Sequence, residues 1–95
     1  MFLGAYHFDG DPAPLLEAYR QLMRAFPPAT SDLHVCVERQ DGISVYDACP
    51  TRNVFAAFST SADFAAALSA AGLPAPRVEQ LGDVRSARLR QGLEA

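Results

Sequence analysis

A chain of 95 residues with 49% hydrophobic and 20% charged side chains is long enough for one hydrophobic core and too short for two, since independent domains usually run about 100 to 150 residues. Its net charge of -3 supplies no attraction for phosphate backbones or anionic lipid, so neither a nucleic-acid nor a membrane partner is expected. All eight cations are arginines; without a lysine amine, Schiff-base chemistry, covalent pyridoxal phosphate attachment and a phosphate-loop lysine are excluded.

Phe2 to Asp9 is apolar on both alternating faces, with Phe2, Tyr6 and Phe8 on one and Leu3 and Ala5 on the other. That pattern predicts a central strand covered on both sides, because a strand with a wet face alternates cleanly. Asp11-Pro12 then supplies a helix start, Asp as N-cap and Pro where its missing N–H costs nothing. Leu15, Leu16, Tyr19, Leu22, Met23 and Phe26 form one apolar stripe at helical spacing, and Pro27-Pro28 ends it.

Leu33 to Arg39 and Ile43 to Ala48 alternate around Gln40-Asp41-Gly42, which suits a three-residue hairpin with Gly42 left-handed. That register pairs Arg39 with Ile43, joining Val35 and Val37 to Ile43 and Val45 on one face and leaving His34, Cys36, Ser44 and Tyr46 on the other. A two-residue Asp-Gly turn would gather His34, Cys36, Asp47 and Cys49 but split the valines between faces. Pro50 opens a second helical region with Val54, Phe55 and Phe58 inward, restarted by the capping pattern Thr60-x-x-Asp63 and continued by Phe64, Ala65, Leu68 and Ala71. Gly72 is placed to cap it, and Leu73-Pro74-Ala75-Pro76 prevents continuation. Arg77 to Leu81 and Val84 to Leu89 read as a last strand bent or bulged at Gly82. Arg85, Arg88 and Arg90 are read as solvated surface.

Strand, helix, hairpin, helix, strand predicts an α+β fold of one domain over 1–95: a ferredoxin-like β-α-β-β-α-β antiparallel sheet with helices on one face. Its other face, carrying apolar residues of the first strand and Tyr46, would be left bare, and such patches usually mark an interface. A homodimer is therefore expected, the more so because a chain this small buries only roughly 60 to 65% of its unfolded surface. Cys36 and Cys49 sit in no C-x-x-C spacing, the start lacks signal-peptide features, and no apolar run approaches the ~18 residues of a membrane span, so a cytoplasmic location is expected.

The element order, the hairpin and the Phe-x-x-Ala-Leu-x-x-Ala-Gly-Leu-Pro-x-Pro stretch from Phe64 to Pro76 resemble the small dimeric α/β-barrel superfamily that includes antibiotic biosynthesis monooxygenases. The resemblance implies a homodimer that binds a small apolar or aromatic molecule. It also brings in cofactor-independent monooxygenases and isomerases acting on aromatic or polyketide-like substrates, and haem degraders. Quinone-forming oxygenases of this kind direct attention to Asn, Trp and Arg; here the one Asn is Asn53, and Trp is lacking. Haem degraders would present an axial His on a helix, whereas His7 and His34 fall on strands.

The residues expected to bear proton-transfer chemistry are His7, histidine being the side chain type suited to proton exchange near neutral pH, with Asp47 and Asn53. Phe2, Tyr6, Phe55 and Phe58 are expected to line an apolar pocket, with Arg52 at the sheet–helix junction where relatives of this fold hold ligands. Asp47 has an ordinary alternative role as a turn acceptor or a partner of Arg52. His34 and Cys36, two apart on a strand, project the same way about 7 Å apart and could converge with His7 and Tyr46. A lone H-x-C pair falls short of a metal motif, however, and no metal or cofactor is expected.

Overall fold

The computed structural model describes residues 1–25 and 32–89; Phe26, the Pro27-Pro28 stop and Arg90 lie outside them. In chain order the elements are β1 (Phe2–Asp9), α1 (Pro12–Ala25), β2 (Leu33–Arg39), β3 (Gly42–Cys49), α2 (Arg52–Ser59), α3 (Ala62–Ala71) and β4 (Arg77–Asp83). The strands form one antiparallel sheet in the order β2-β3-β1-β4.

The doubly apolar first strand is central, as its pattern predicts. Phe2, Tyr6 and Phe8 join Ile43 and Val45 beneath the helices. Leu3, Ala5 and His7 pair with Ala48, Tyr46 and Ser44 on the opposite, open face. From above, α1 contributes Leu15, Ala18, Tyr19 and Leu22, α2 contributes Phe55, and α3 contributes Phe64 and Leu68. Each fully buried large apolar side chain adds roughly 1.5 to 3 kcal/mol relative to exposure. Phe55, 0% exposed, is wedged onto β1 where Gly4 has no side chain: a Cβ there would stand 2.0 Å from the tip of the Phe55 ring.

The hairpin departs from the sequence-based register. Arg39 pairs with Gly42, not Ile43, so the turn holds two residues, Gln40 and Asp41. His34 therefore stands opposite Asp47 and Cys36 opposite Val45 on the helix side, while Val35 and Val37 turn to the open face with Tyr46 and Ser44. Gly42 serves close approach rather than left-handed conformation: a Cβ there would lie 2.1 Å from the Phe8 carbonyl oxygen. The Arg39 guanidinium closes over the same spot, donating to the Phe8 and Ile43 carbonyls at 3.1 and 3.3 Å.

Capping sets the remaining ends. Thr51 caps α2 by accepting from the Val54 N–H at 3.2 Å, so that helix begins two residues after Pro50. Ser61, not Thr60, caps α3, accepting from the Phe64 N–H at 3.1 Å; the Thr60 hydroxyl instead donates back to the Ala56 carbonyl at 2.8 Å. Gly72, at φ 86°, ends α3 in the left-handed conformation that an L side chain resists. In β4 the register to β1 jumps between Gln80 and Gly82, leaving Leu81 as an extra residue. The strand stops at Asp83, and the expected continuation through Leu89 is absent. Among the described residues no single helix is long and apolar enough to cross a membrane. α2 and α3 match such a span only as a pair bent by 55°, and they place Phe55, Phe64 and Leu68 in the core.

Candidate functional site

Between α1 and the β2–β3 edge of the sheet lies a polar island in an otherwise apolar layer. Asp47 and His34 face each other across β3 and β2, their side chains 13% and 14% exposed, with His34 Nδ1 2.5 Å from Asp47 Oδ1. A carboxylate can only accept, so Nδ1 carries the proton toward Asp47, and in the neutral imidazole Nε2 accepts the Tyr19 hydroxyl. That second contact is 2.6 Å, with the two rings nearly parallel. Tyr19 reaches it because α1 lays its apolar stripe on the sheet and Tyr19 is the member of that stripe with a polar tip.

On the other side of Asp47 stands Tyr6, 2% exposed, stacked on Phe55 at 5.4 Å and packed against Phe64 at 5.0 Å. Its hydroxyl is buried with no hydrogen-bond partner among the described residues. Burial, reinforced by the negative charge of Asp47, holds the Tyr6 phenol far above its ordinary range. The same causes, with Cys36 adding to them, push Tyr19 up to about 12. Burial also raises both thiols: Arg20 opposes the rise at Cys36, and Asp47 and Asp32 add to it at Cys49. Free Cys36 and Cys49 are thus neutral, weakly nucleophilic thiols. The phenols remain hydrogen-bond donors, and that of Tyr6 has no acceptor among the described residues.

Because both tyrosines hold their protons more tightly when folded, stability is complete below the unfolded phenol value of 10.0 and is lost as pH rises toward the folded values. Urea titrations stepped upward from about pH 9 should show this fall, and Tyr6→Phe and Tyr19→Phe should each flatten it. An unchanged profile in both variants would mean that neither phenol is buried as described.

The residues expected from the sequence are divided by the fold. Asp47 and Tyr6 belong to the island, while His7 lies on the opposite face of the sheet, so His7 and Asp47 do not meet. Arg52 and Asn53 are exposed at the start of α2, and Arg52 lines an open cleft with Phe2, Gln80, Leu81, Gly82 and Asp83. Phe2, Phe55 and Phe58 pack with Tyr6 and Phe64 into one aromatic cluster, the Phe58–Phe64 centroids only 4.7 Å apart. His34 and Cys36 face the helices, and His7 meets Tyr46 edge-on across the open face at 6.3 Å. The four therefore do not converge, and no group of three or more His, Cys, Asp or Glu able to hold a metal ion occurs among the described residues. The partner that sequence reasoning missed is Tyr19; an unbroken apolar stripe hid its hydroxyl. Comparison with family models, with curated proteins and with solved structures finds no match.

Proposed function

We propose that this chain is a small-molecule-binding protein of the dimeric α/β-barrel kind, with a ferredoxin-like subunit and a ligand held on the helix side of the sheet. The strand order β2-β3-β1-β4 with helices on one face supports the fold reading. The observation that carries the binding reading is the Tyr6 hydroxyl, buried with no partner among the described residues beside the Asp47–His34–Tyr19 chain. Leaving a buried donor unsatisfied costs roughly 1 to 3 kcal/mol. A neutral aromatic ketone would recover that energy by presenting its carbonyl oxygen to Tyr6 while its ring packs among the neighbouring phenylalanines. Tyr6→Phe should therefore stabilise the ligand-free protein by about 1 kcal/mol and weaken binding of the best member of an aromatic ketone panel about tenfold. If the variant is less stable when empty and binds as before, Tyr6 is an ordinary core residue and the reading fails.

On this reading a second copy would cover the open face. Four strands at ~4.8 Å spacing and ~3.3 Å per residue give a plan area of roughly 500 Å², whose side-chain relief brings it toward the ~800 Å² per partner of a stable interface. Val35 and Val37, each 40% exposed there, are the apolar side chains such a partner would cover.

A second reading, a cofactor-independent isomerase or oxygenase, is favoured by the 2.5 Å His34–Asp47 contact. A carboxylate so placed fixes the orientation and tautomer of the imidazole. With Tyr19 turned aside, Nε2 could take a proton from the carbon beside a carbonyl; the C–H electron pair would move into an enolate whose oxygen Tyr6 stabilises. Reprotonation at another carbon completes an isomerisation, and molecular oxygen would be the oxidant for an oxygenase. Deuterium exchange into the α-carbon of a bound ketone, abolished in His34→Gln, distinguishes this from binding alone.

A further inference from the structure

The open face carries a transverse polar chain that touches all four strands and plays no part in the site beneath the helices. From β4, Glu79 Oε1 meets His7 Nε2 on β1 at 2.8 Å, and His7 Nδ1 meets the Ser44 hydroxyl of β3 at 2.8 Å. From β2, Arg39 Nε donates to that same hydroxyl at 2.8 Å and Nη1 to Asp41 at 2.6 Å. Arg77 of β4 grips Asp9 of β1 through two contacts of 3.1 Å, and Arg39 reaches the same carboxylate at 3.4 Å. Hydrogen bonding from Arg77, with the charges of both arginines, holds Asp9 below the ordinary carboxylate range, so it stays ionised in mild acid. Ser44 is 1% exposed and engaged on both sides, which makes it a link rather than a nucleophile. Away from this chain the face is apolar, with Leu3, Ala5, Val35 and Ala48.

Two arginines and three carboxylates, Asp9, Asp41 and Glu79, leave the chain with one net negative charge while His7 is neutral and with none once it is protonated. The groups facing His7 are Glu79 and Arg77 from β4, Ser44 and Tyr46 from β3, Arg39 from β2 and Asp9 from its own strand. In the neutral state Ser44 donates to Nδ1 and Nε2–H donates to Glu79; in the protonated state both ring nitrogens donate, and the two lone pairs of Ser44 accept from Arg39 and His7 together. In an isolated subunit the excess charge is inexpensive, because Glu79 is 54% exposed and hydrated. Covered by a second copy carrying the same excess, Glu79 would be an uncompensated buried carboxylate facing a neutral ring, and that arrangement is costly.

We infer that the homodimer is proton-linked through His7: protonation balances the polar chain across the open face, and the two copies associate more tightly in mild acid than in mild base. The inference rests on the proposed homodimer and adds its regulation. Histidine is the side chain that changes charge between about pH 5 and 8, so sedimentation equilibrium of the whole chain at those two ends reads the effect. The dimer dissociation constant is expected to be about tenfold lower at the acid end. His7→Gln, neutral throughout, should remove the difference. Glu79→Gln, a conservative change at an exposed edge-strand position, should tighten the dimer at the basic end and flatten the profile. Monomers at both ends would refute the homodimer itself. A dimer of equal affinity at both, or one whose pH dependence survives in His7→Gln, would leave the homodimer standing and overturn the linkage to His7.

Discussion

Replacing Phe55 with alanine should lower stability by about 4 kcal/mol, a large share of the roughly 5 to 15 kcal/mol that holds a small domain together. The ring is 0% exposed, stacks on Tyr6 at 5.4 Å and tilts against Phe2 at 5.8 Å, so its loss would open a void bounded by the sheet, which cannot collapse inward. Gly4 allows an arrangement this close. Three ring atoms lie 2.0 to 2.6 Å from the position of a Cβ at residue 4, and the ring is fully buried. Gly4→Ala should accordingly destabilise by about 2 kcal/mol through overpacking, despite the gain in strand preference over glycine. The two effects should not add. With Phe55→Leu the ring tip is gone, and Gly4→Ala should then be tolerated or favourable, giving a coupling energy of about 2 kcal/mol in a urea-denaturation cycle. Additive effects would show that the ring does not lie over Gly4.

The frame of this fold was legible because its elements announce themselves locally. The unbroken Phe2–Asp9 run can only be a strand buried from both sides, Asp11-Pro12 can only begin a helix, and Gly72 followed by Leu73-Pro74 can only end one. The hairpin was misread because Gly42 fits two explanations. As a left-handed loop residue it implies three residues in the turn; as a residue pressed against the Phe8 carbonyl it implies two, and only the packing of β1 beside β3 distinguishes them. The tempting alignment of four β-branched side chains on one face also assumed that this face is the buried one, whereas Val35 and Val37 look outward. That one-residue difference carried the site with it, since only the shorter turn sets His34 against Asp47. Tyr19 was visible as core, but a hydroxyl directed at a strand fourteen or more residues away leaves no trace in helical periodicity. The aromatic residues expected as pocket walls lie together in one cluster of rings; sequence does not reveal whether such a group encloses space or fills it.

Asp47→Ala should be nearly as damaging as the loss of Phe55, at about 3 kcal/mol, because removing one member of a buried pair strands the other. For a chain of this size that corresponds to a fall in Tm of roughly 15 °C. His34 would lose the acceptor that fixes its tautomer, and Tyr19, at 2.6 Å from Nε2, would lose a partner held in a single orientation. Asp47→Asn separates charge from geometry: the amide oxygen can still accept from Nδ1, so the variant should retain more than half of the lost stability. Its decisive readout is the titration of the phenols by absorbance. Burial is the larger cause of the elevated values of Tyr6 and Tyr19, and the charge of Asp47 contributes to both. Asn at this position should bring both titrations partway down while leaving them above the ordinary tyrosine range. Adding His34→Ala to Asp47→Ala should cost less than the two single changes summed, since no imidazole would remain to be stranded, although the Tyr19 hydroxyl would lose its acceptor. If instead Asp47→Ala leaves both stability and the phenol titrations unmoved, the carboxylate does not anchor the island, and the proton-transfer role proposed for His34 loses the group that orients it.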